Sequence, residues 1–143
     1  MKGPSVSTLL RISQALKVPI SNLFQSNDRA EKLFSLVRRH QRKSFERAGS
    51  KFGANYETLA HNKAHKGMEP FVMSPPQTAP TEYFQHPGEE MLFVLSGRMR
   101  VWLKNKVLDL NKGDCVYFDG TIPHRTQSLS KARCSALLII SAA

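Results

Sequence analysis

The chain has 143 residues, 41% hydrophobic and 22% charged, the proportions of an ordinary globular protein with room for one modest core and a small appendage. No apolar run approaches the ~20 residues that span a membrane, and the N-terminus lacks the charged-then-apolar pattern of a signal peptide, so a cytoplasmic protein without a membrane partner is expected. The formal net charge of +10 sits almost wholly in residues 1–66, where thirteen Lys/Arg face four Asp/Glu, against eight and seven in residues 67–143. This predicts a near-neutral domain with a basic N-terminal arm, the arm being either a solvated face or one turned to an acidic partner such as nucleic acid.

Pro4 to Phe24, PSVSTLLRISQALKVPISNLF, reads as two short helices. Ser5 or Ser7 is placed to cap the first, which carries Leu9, Ile12, Ala15 and Leu16 at helical spacing; Pro19 ends it and opens the second. Two helices this short cannot bury a core alone and are expected to dock elsewhere. Gln25 to Gly53 is a basic connector with Arg29, Lys32, Arg38, Arg39, Arg42, Lys43, Arg47 and Lys51. Within it Ala30, Leu33, Phe34 and Val37 sit at helical spacing, while Phe34 to Arg39 also reads as a first strand. A short helical turn followed by a strand is expected.

From Asn55 the texture changes to short β-like runs divided by turn residues, which predicts a mainly β fold, a barrel or sandwich. The predicted strands are Tyr56–His61, Met68–Ser74, Thr81–Gln85, Met91–Leu95, Met99–Lys104, Lys106–Leu110, Cys115–Phe118, His124–Ser128 and Arg133–Ser141. Met91 to Leu95, MLFVL, is apolar on both faces and is expected to be covered on both, by the interior and by a second sheet or subunit; Leu137 to Ile140 reads the same way. In MRVWLK, Met99, Val101 and Leu103 form one face, and Arg100, Trp102 and Lys104 the other. Cys115 and Cys134, both in apolar runs, match no zinc spacing and are expected to be reduced core residues.

Two stretches carry the chemistry: HPGEEMLFVLSG, His86 to Gly97, and GDCVYFDGTIPHR, Gly113 to Arg125. His86, Glu90 and His124 supply two imidazoles and a carboxylate, the ligand set of non-haem Fe(II) sites and of some zinc sites. On an uninterrupted strand His86 and Glu90 would stand ~13 Å apart at ~3.3 Å per residue, so a shared site needs the chain to bend between them. Pro87-Gly88 is the dipeptide that permits such a bend. The same residues also allow a plain hydrogen-bonded cluster of Glu90 and His124, with His86 on an exposed loop. Glu89 points away from Glu90 by alternation. His40, His61 and His65 lack ligand spacing and are expected at the surface, and Arg125 is either an exposed strand residue or a rim partner for an acidic effector. Nothing resembles a nucleophile elbow, a P-loop or a dinucleotide glycine motif, so no catalytic residue is assigned.

These two stretches resemble the paired motifs of the cupins, and the whole chain resembles the helix-turn-helix/cupin class of bacterial transcriptional regulators. In the first motif Phe84 stands where the family has its first His, followed by His86, Glu90 and Gly97 at the family positions. In the second, Gly113 is followed eleven residues later by His124, with Asp119, Thr121 and Ser128 in place of the usual Pro, Gly and Asn. The resemblance implies a small cupin barrel over residues 54–143 and a basic linker or first strand over 27–53. Residues 1–26 would be the last two helices of a repressor-like DNA-binding domain, on Gly3-Pro4-Ser5, Thr8-Leu9-Leu10, Ile12, Ala15-Leu16, Val18-Pro19 and Leu23-Phe24. The DNA-reading helices would lie upstream, so DNA is a partner only where they are supplied. The family further implies a homodimer, a small-molecule effector, and one divalent transition metal (Fe, Zn, Ni or Mn) on His86, Glu90 and His124. The expected pocket is His86, Glu90, His124, Phe118, Tyr56 and Phe93. Some members of the class are iron-dependent oxygenases acting on small phosphonates, which implies a metal-dependent enzyme as the alternative function.

Overall fold

A computed structural model describes residues 33–46 and 55–141. The predicted helices between Pro4 and Phe24 therefore lie outside the described residues. The strands are β1 (Ser44–Glu46), β2 (Asn55–Thr58), β3 (Met68–Ser74), β4 (Glu89–Ser96), β5 (Met99–Leu103), β6 (Lys106–Leu110), β7 (Cys115–Asp119), β8 (His124–Ser128) and β9 (Ser135–Ser141). They form a six-stranded sheet in the order β1-β2-β3-β9-β4-β7 and a three-stranded sheet in the order β6-β5-β8. Every pairing is antiparallel. Among the described residues no helix is long and apolar enough to cross a membrane.

Cross-strand partners share a face, so the registers place the interior in rows. The first row is Glu69, Ile140, Glu90 and Phe118. The second is Thr58, Phe71, Leu138, Leu92 and Val116. The third is Phe45, Tyr56, Met73, Ala136 and Val94. From the small sheet Met99, Val101 and Leu110 complete a core in which Phe71, Leu92, Val94 and Leu138 are buried. Removing a side chain of this size from water contributes ~1.5–3 kcal/mol each. The row with Glu69 and Glu90 thus lies at one end of a largely apolar core.

Three expectations are corrected here. Phe34–Arg39 forms no strand; a 3-10 turn covers Arg39–Gln41, and the first strand follows at Ser44–Glu46. The turn-then-strand order holds, but the strand forms where Phe45 reaches the interior, stacking on Tyr56 at 5.5 Å and meeting Phe71 edge-on at 5.9 Å. Thr81–Gln85 is no regular strand either: only Phe84 pairs, with His124. Finally, among the described residues no second sheet covers the outer face of β4: Leu92 and Val94 are buried while Phe93 and Leu95 are exposed. Cys134 is buried as expected, whereas Cys115, which shares the outward face with Phe93, is exposed.

Candidate metal centre

Glu90 is an inward residue of β4, His124 opens β8, and His86 lies in the segment leading into β4. Gly88 takes a φ of +86°, a left-handed turn that suits glycine, and this is the bend that a shared site for His86 and Glu90 needs. It folds the chain so that His86 Nε2 comes to 2.9 Å from Glu90 Oε2. His124 Nε2 stands 3.0 Å from the same oxygen. All three residues are buried, and their ligand atoms lie within 4.8 Å of one another.

The hydrogen bonds on the far sides of the rings fix their chemistry. His86 Nδ1–H donates to the carbonyl of Pro87 at 2.9 Å, and His124 Nδ1–H to the carbonyl of Ile122 at 2.7 Å. A carbonyl only accepts, so each Nδ1 carries its proton and each Nε2 presents either a lone pair or a second proton to Glu90. Burial opposes charge on His86, but the Glu90 hydrogen bond, the Pro87 carbonyl and the Glu90 charge outweigh it and raise its pKa. Burial likewise opposes ionisation of Glu90, and the hydrogen bonds of His124 and His86 overcome it, holding the carboxyl below its ordinary value. Without those protons three acceptors would crowd one small space. A divalent cation relieves that crowding, and the Nδ1 anchors are the arrangement that orients imidazole ligands. The residues fit a metal; the chemistry it would supply is Lewis-acid polarisation of a bound oxygen atom or, for iron, redox chemistry.

The walls are apolar. Phe84, at the position of the family's first His, exchanges both backbone hydrogen bonds with His124 at 2.8 and 3.0 Å, so the two side chains share a face. Phe118 lies edge-on to the His124 ring at 4.9 Å between centroids. Gly120 packs under His86, donating its N–H to Gly88 O at 2.8 Å and accepting from the His86 N–H at 2.9 Å.

Of the expected pocket residues, the structure gathers His86, Glu90, His124 and Phe118. Phe93 is not among them: three residues from Glu90 on β4, it projects from the opposite face and is 37% exposed. Tyr56 faces inward but two rows away, packed on Phe45 in the core. The Arg125 guanidinium lies over the rings of Tyr83 and Trp102. His61 is buried rather than at the surface, its Nδ1 2.8 Å from Thr58 Oγ1. His40 and His65 are exposed. Sequence reading also passed over Glu69 and Lys66, both buried. Glu69 is level with Glu90, one strand beyond Ile140. Lys66 Nζ donates to Ala60 O and Lys63 O, each at 2.9 Å, and lies 3.8 Å from Glu69. Burial lowers the Lys66 pKa, an effect that Glu69 partly offsets. The signal was present in the alternation of β3, which puts Glu69 on the face of Phe71 and Met73.

A family model for the cupin domain matches residues 70–140. A search among curated proteins finds no significant match. Among solved structures, an HTH_3 family transcriptional regulator from Vibrio cholerae is similar at 22% identity over 98% of this chain and 73% of that one, with a TM-score of 0.68. The Fe(II) form of HppE is similar at 19% identity over 96% of this chain and 76% of that one, with a TM-score of 0.59. An RmlC-like cupin from Shewanella frigidimarina is similar at 16% identity over 79% of this chain and 93% of that one, with a TM-score of 0.60. At these identities the likenesses bear on the fold, and they agree with the family match and with the antiparallel sheets: the chain carries a cupin domain and folds as a small cupin barrel.

Proposed function

We propose that the barrel is the effector-sensing domain of a transcriptional regulator, holding a divalent transition metal on His86, Glu90 and His124 and, beside it, a small-molecule effector. The observation that carries this reading is the convergence of three buried acceptor atoms within 4.8 Å, each imidazole anchored through its other nitrogen. Likeness to the Vibrio cholerae regulator over nearly the whole chain supports the regulator half of the reading. The apolar neighbours Phe84 and Phe118 suit an effector with an apolar body. Metal content of protein purified without chelator tests it: about one equivalent per chain is expected, falling below about a tenth in His124→Ala. Metal-free wild-type protein that takes up no Fe(II), Zn(II), Ni(II) or Mn(II) would sink the reading.

The second reading is a metal-dependent oxygenase acting on a small acidic or phosphonate substrate. Two His and one carboxylate, with Phe84 where a fourth ligand would stand, leave coordination positions open for substrate and oxygen. Oxygen consumption by the Fe(II)-loaded chain on addition of a small phosphonate, absent in His124→Ala, would replace the sensor with the enzyme.

A second copy is the partner that the outer face of the large sheet suits, since Phe93, Leu95, Tyr117 and Met68 are all exposed there. Sedimentation is expected to give a dimer, and Phe93→Glu with Leu95→Glu a monomer with its metal site retained, because neither residue reaches the interior. A wild-type chain that is monomeric at tens of micromolar rules out this assembly.

A further inference from the structure

We propose that Arg125 is a positioning residue for the candidate centre: lodged between Tyr83 and Trp102, it pins the Pro80–His86 segment to β8 and so sets where the His86 imidazole stands. What His86 holds rests on the metal reading above; the clamp does not. The guanidinium carbon lies 4.7 Å from the Tyr83 ring centroid and 4.5 Å from that of Trp102. Its Nη1 donates to the carbonyl of Pro80 at 2.6 Å. Trp102 is the direct partner of Arg125 between β5 and β8. One side chain therefore joins two strands of the small sheet to a segment that belongs to neither sheet.

That segment lies outside the regular strands. Thr81, Glu82, Tyr83 and Gln85 are exposed, and regular sheet begins only at Glu89. Its C-terminal half is tied by the paired backbone bonds of Phe84 and His124, by Gln85 Nε2 donating to Thr121 O at 2.8 Å, and by His86 N–H donating to Gly120 O. In its N-terminal half Arg125 holds Pro80 through a hydrogen bond and Tyr83 through its ring. Glu90 and His124 are fixed by regular strands, whereas His86 inherits its position from this segment. A planar cation stacked between two aromatic rings and donating from its edge is a contact that arginine makes and lysine does not. Arg125 also follows His124 directly, so its influence on His86 must be separated from any on His124.

The test combines Co(II) titration of the full chain with amide exchange of the metal-free protein. Arg125→Ala is expected to weaken Co(II) binding about tenfold, the scale seen when a group that orients a ligand is lost. It is also expected to speed exchange of the Phe84 and His86 amides, while those of Leu92 and Leu138 keep their wild-type protection. Arg125→Lys reproduces both losses, and Trp102→Leu, which removes one face of the clamp, moves both readouts the same way. In a His86→Ala background Arg125→Ala adds less than about twofold, because the group it positions is gone. Unchanged exchange at Phe84 and His86 overturns the proposal whether or not Co(II) binds. Full rescue by Arg125→Lys overturns it too, as charge alone would then suffice, and so does an undiminished loss in the His86→Ala background, which would assign the effect to His124. A wild-type chain that binds no Co(II) defeats the metal reading, and the exchange comparison still decides the clamp.

Discussion

Gly120→Ala is expected to dislodge His86 and to cut metal affinity about 100-fold, the upper end of what misorienting a ligand costs. A Cβ at position 120 would lie 2.6 Å from the His86 carbonyl oxygen and closer still to Cε1 and Nδ1 of its ring. The backbone has no free direction of retreat. Its N–H is bonded to Gly88 O and its carbonyl to the His86 N–H, so moving away breaks both ties to the loop that carries the ligand. Inserting a methyl group into so tight a site costs about 1–3 kcal/mol in stability as well. Gly67→Ala is the control: nothing lies within 4 Å of the added Cβ, and neither stability nor metal binding should change. Calorimetric Co(II) titration of both variants decides it. Wild-type affinity in Gly120→Ala would mean that His86 is not a ligand, or that its loop is far softer than its hydrogen bonds imply.

The strands of the barrel could be read from the chain because their signals are local. Met68–Ser74, Lys106–Leu110 and His124–Ser128 form with the expected bounds, each bordered by turn residues. Where pairing depends on distant partners, local signals mislead. Phe34–Arg39 is as strand-like as Ser44–Glu46, yet only Phe45 finds Tyr56 and Phe71 to stack on. Thr81–Gln85 stays outside the sheets, held by the Phe84 bridge and by side-chain ties from β8 rather than by a full ladder.

The site divides in the same way. Gly88 bends as a shared site for His86 and Glu90 needs, because two groups separated by ~13 Å of straight strand cannot meet otherwise. Phe93 could have been excluded by alternation, the reasoning that set Glu89 outside: both are odd-numbered residues of β4 and share its outer face. Tyr56 could not, since its distance from Glu90 is fixed by the register of β2 on β3 and of β3 on β9. His61 looked like a surface residue because its partner, Thr58, marks no motif. Gly120, between Asp119 and Thr121, carries no mark of its role in the sequence. Its importance is steric and belongs to the folded loop alone.

Glu90→Gln is expected to remove metal binding and, in the metal-free protein, to destabilise the barrel in a pH-dependent way. A neutral amide in place of the carboxylate leaves two imidazoles without the charge they converge on, and affinity should fall by at least about 100-fold. The stability effect follows from the two perturbed groups. The His86 pKa is raised above its ordinary 6.5, so its contribution is complete below that value and drains away as pH rises through the raised one. The Glu90 pKa is lowered below its ordinary 4.5, so its contribution is present above that value and is lost as pH falls through the depressed one. Both act at full strength only between the two, about pH 5 to 6. There the variant should be weaker by about 3 kcal/mol, the lower end for breaking a buried charged pair. That corresponds to a melting temperature about 10 °C lower. As pH rises through the raised His86 value the gap should shrink, since the wild type then loses that proton as well. A gap that does not change with pH would mean that Glu90 is held by packing rather than by its charge. The convergence of two imidazole nitrogens on one carboxylate oxygen, from which the metal reading starts, would then lose its physical basis.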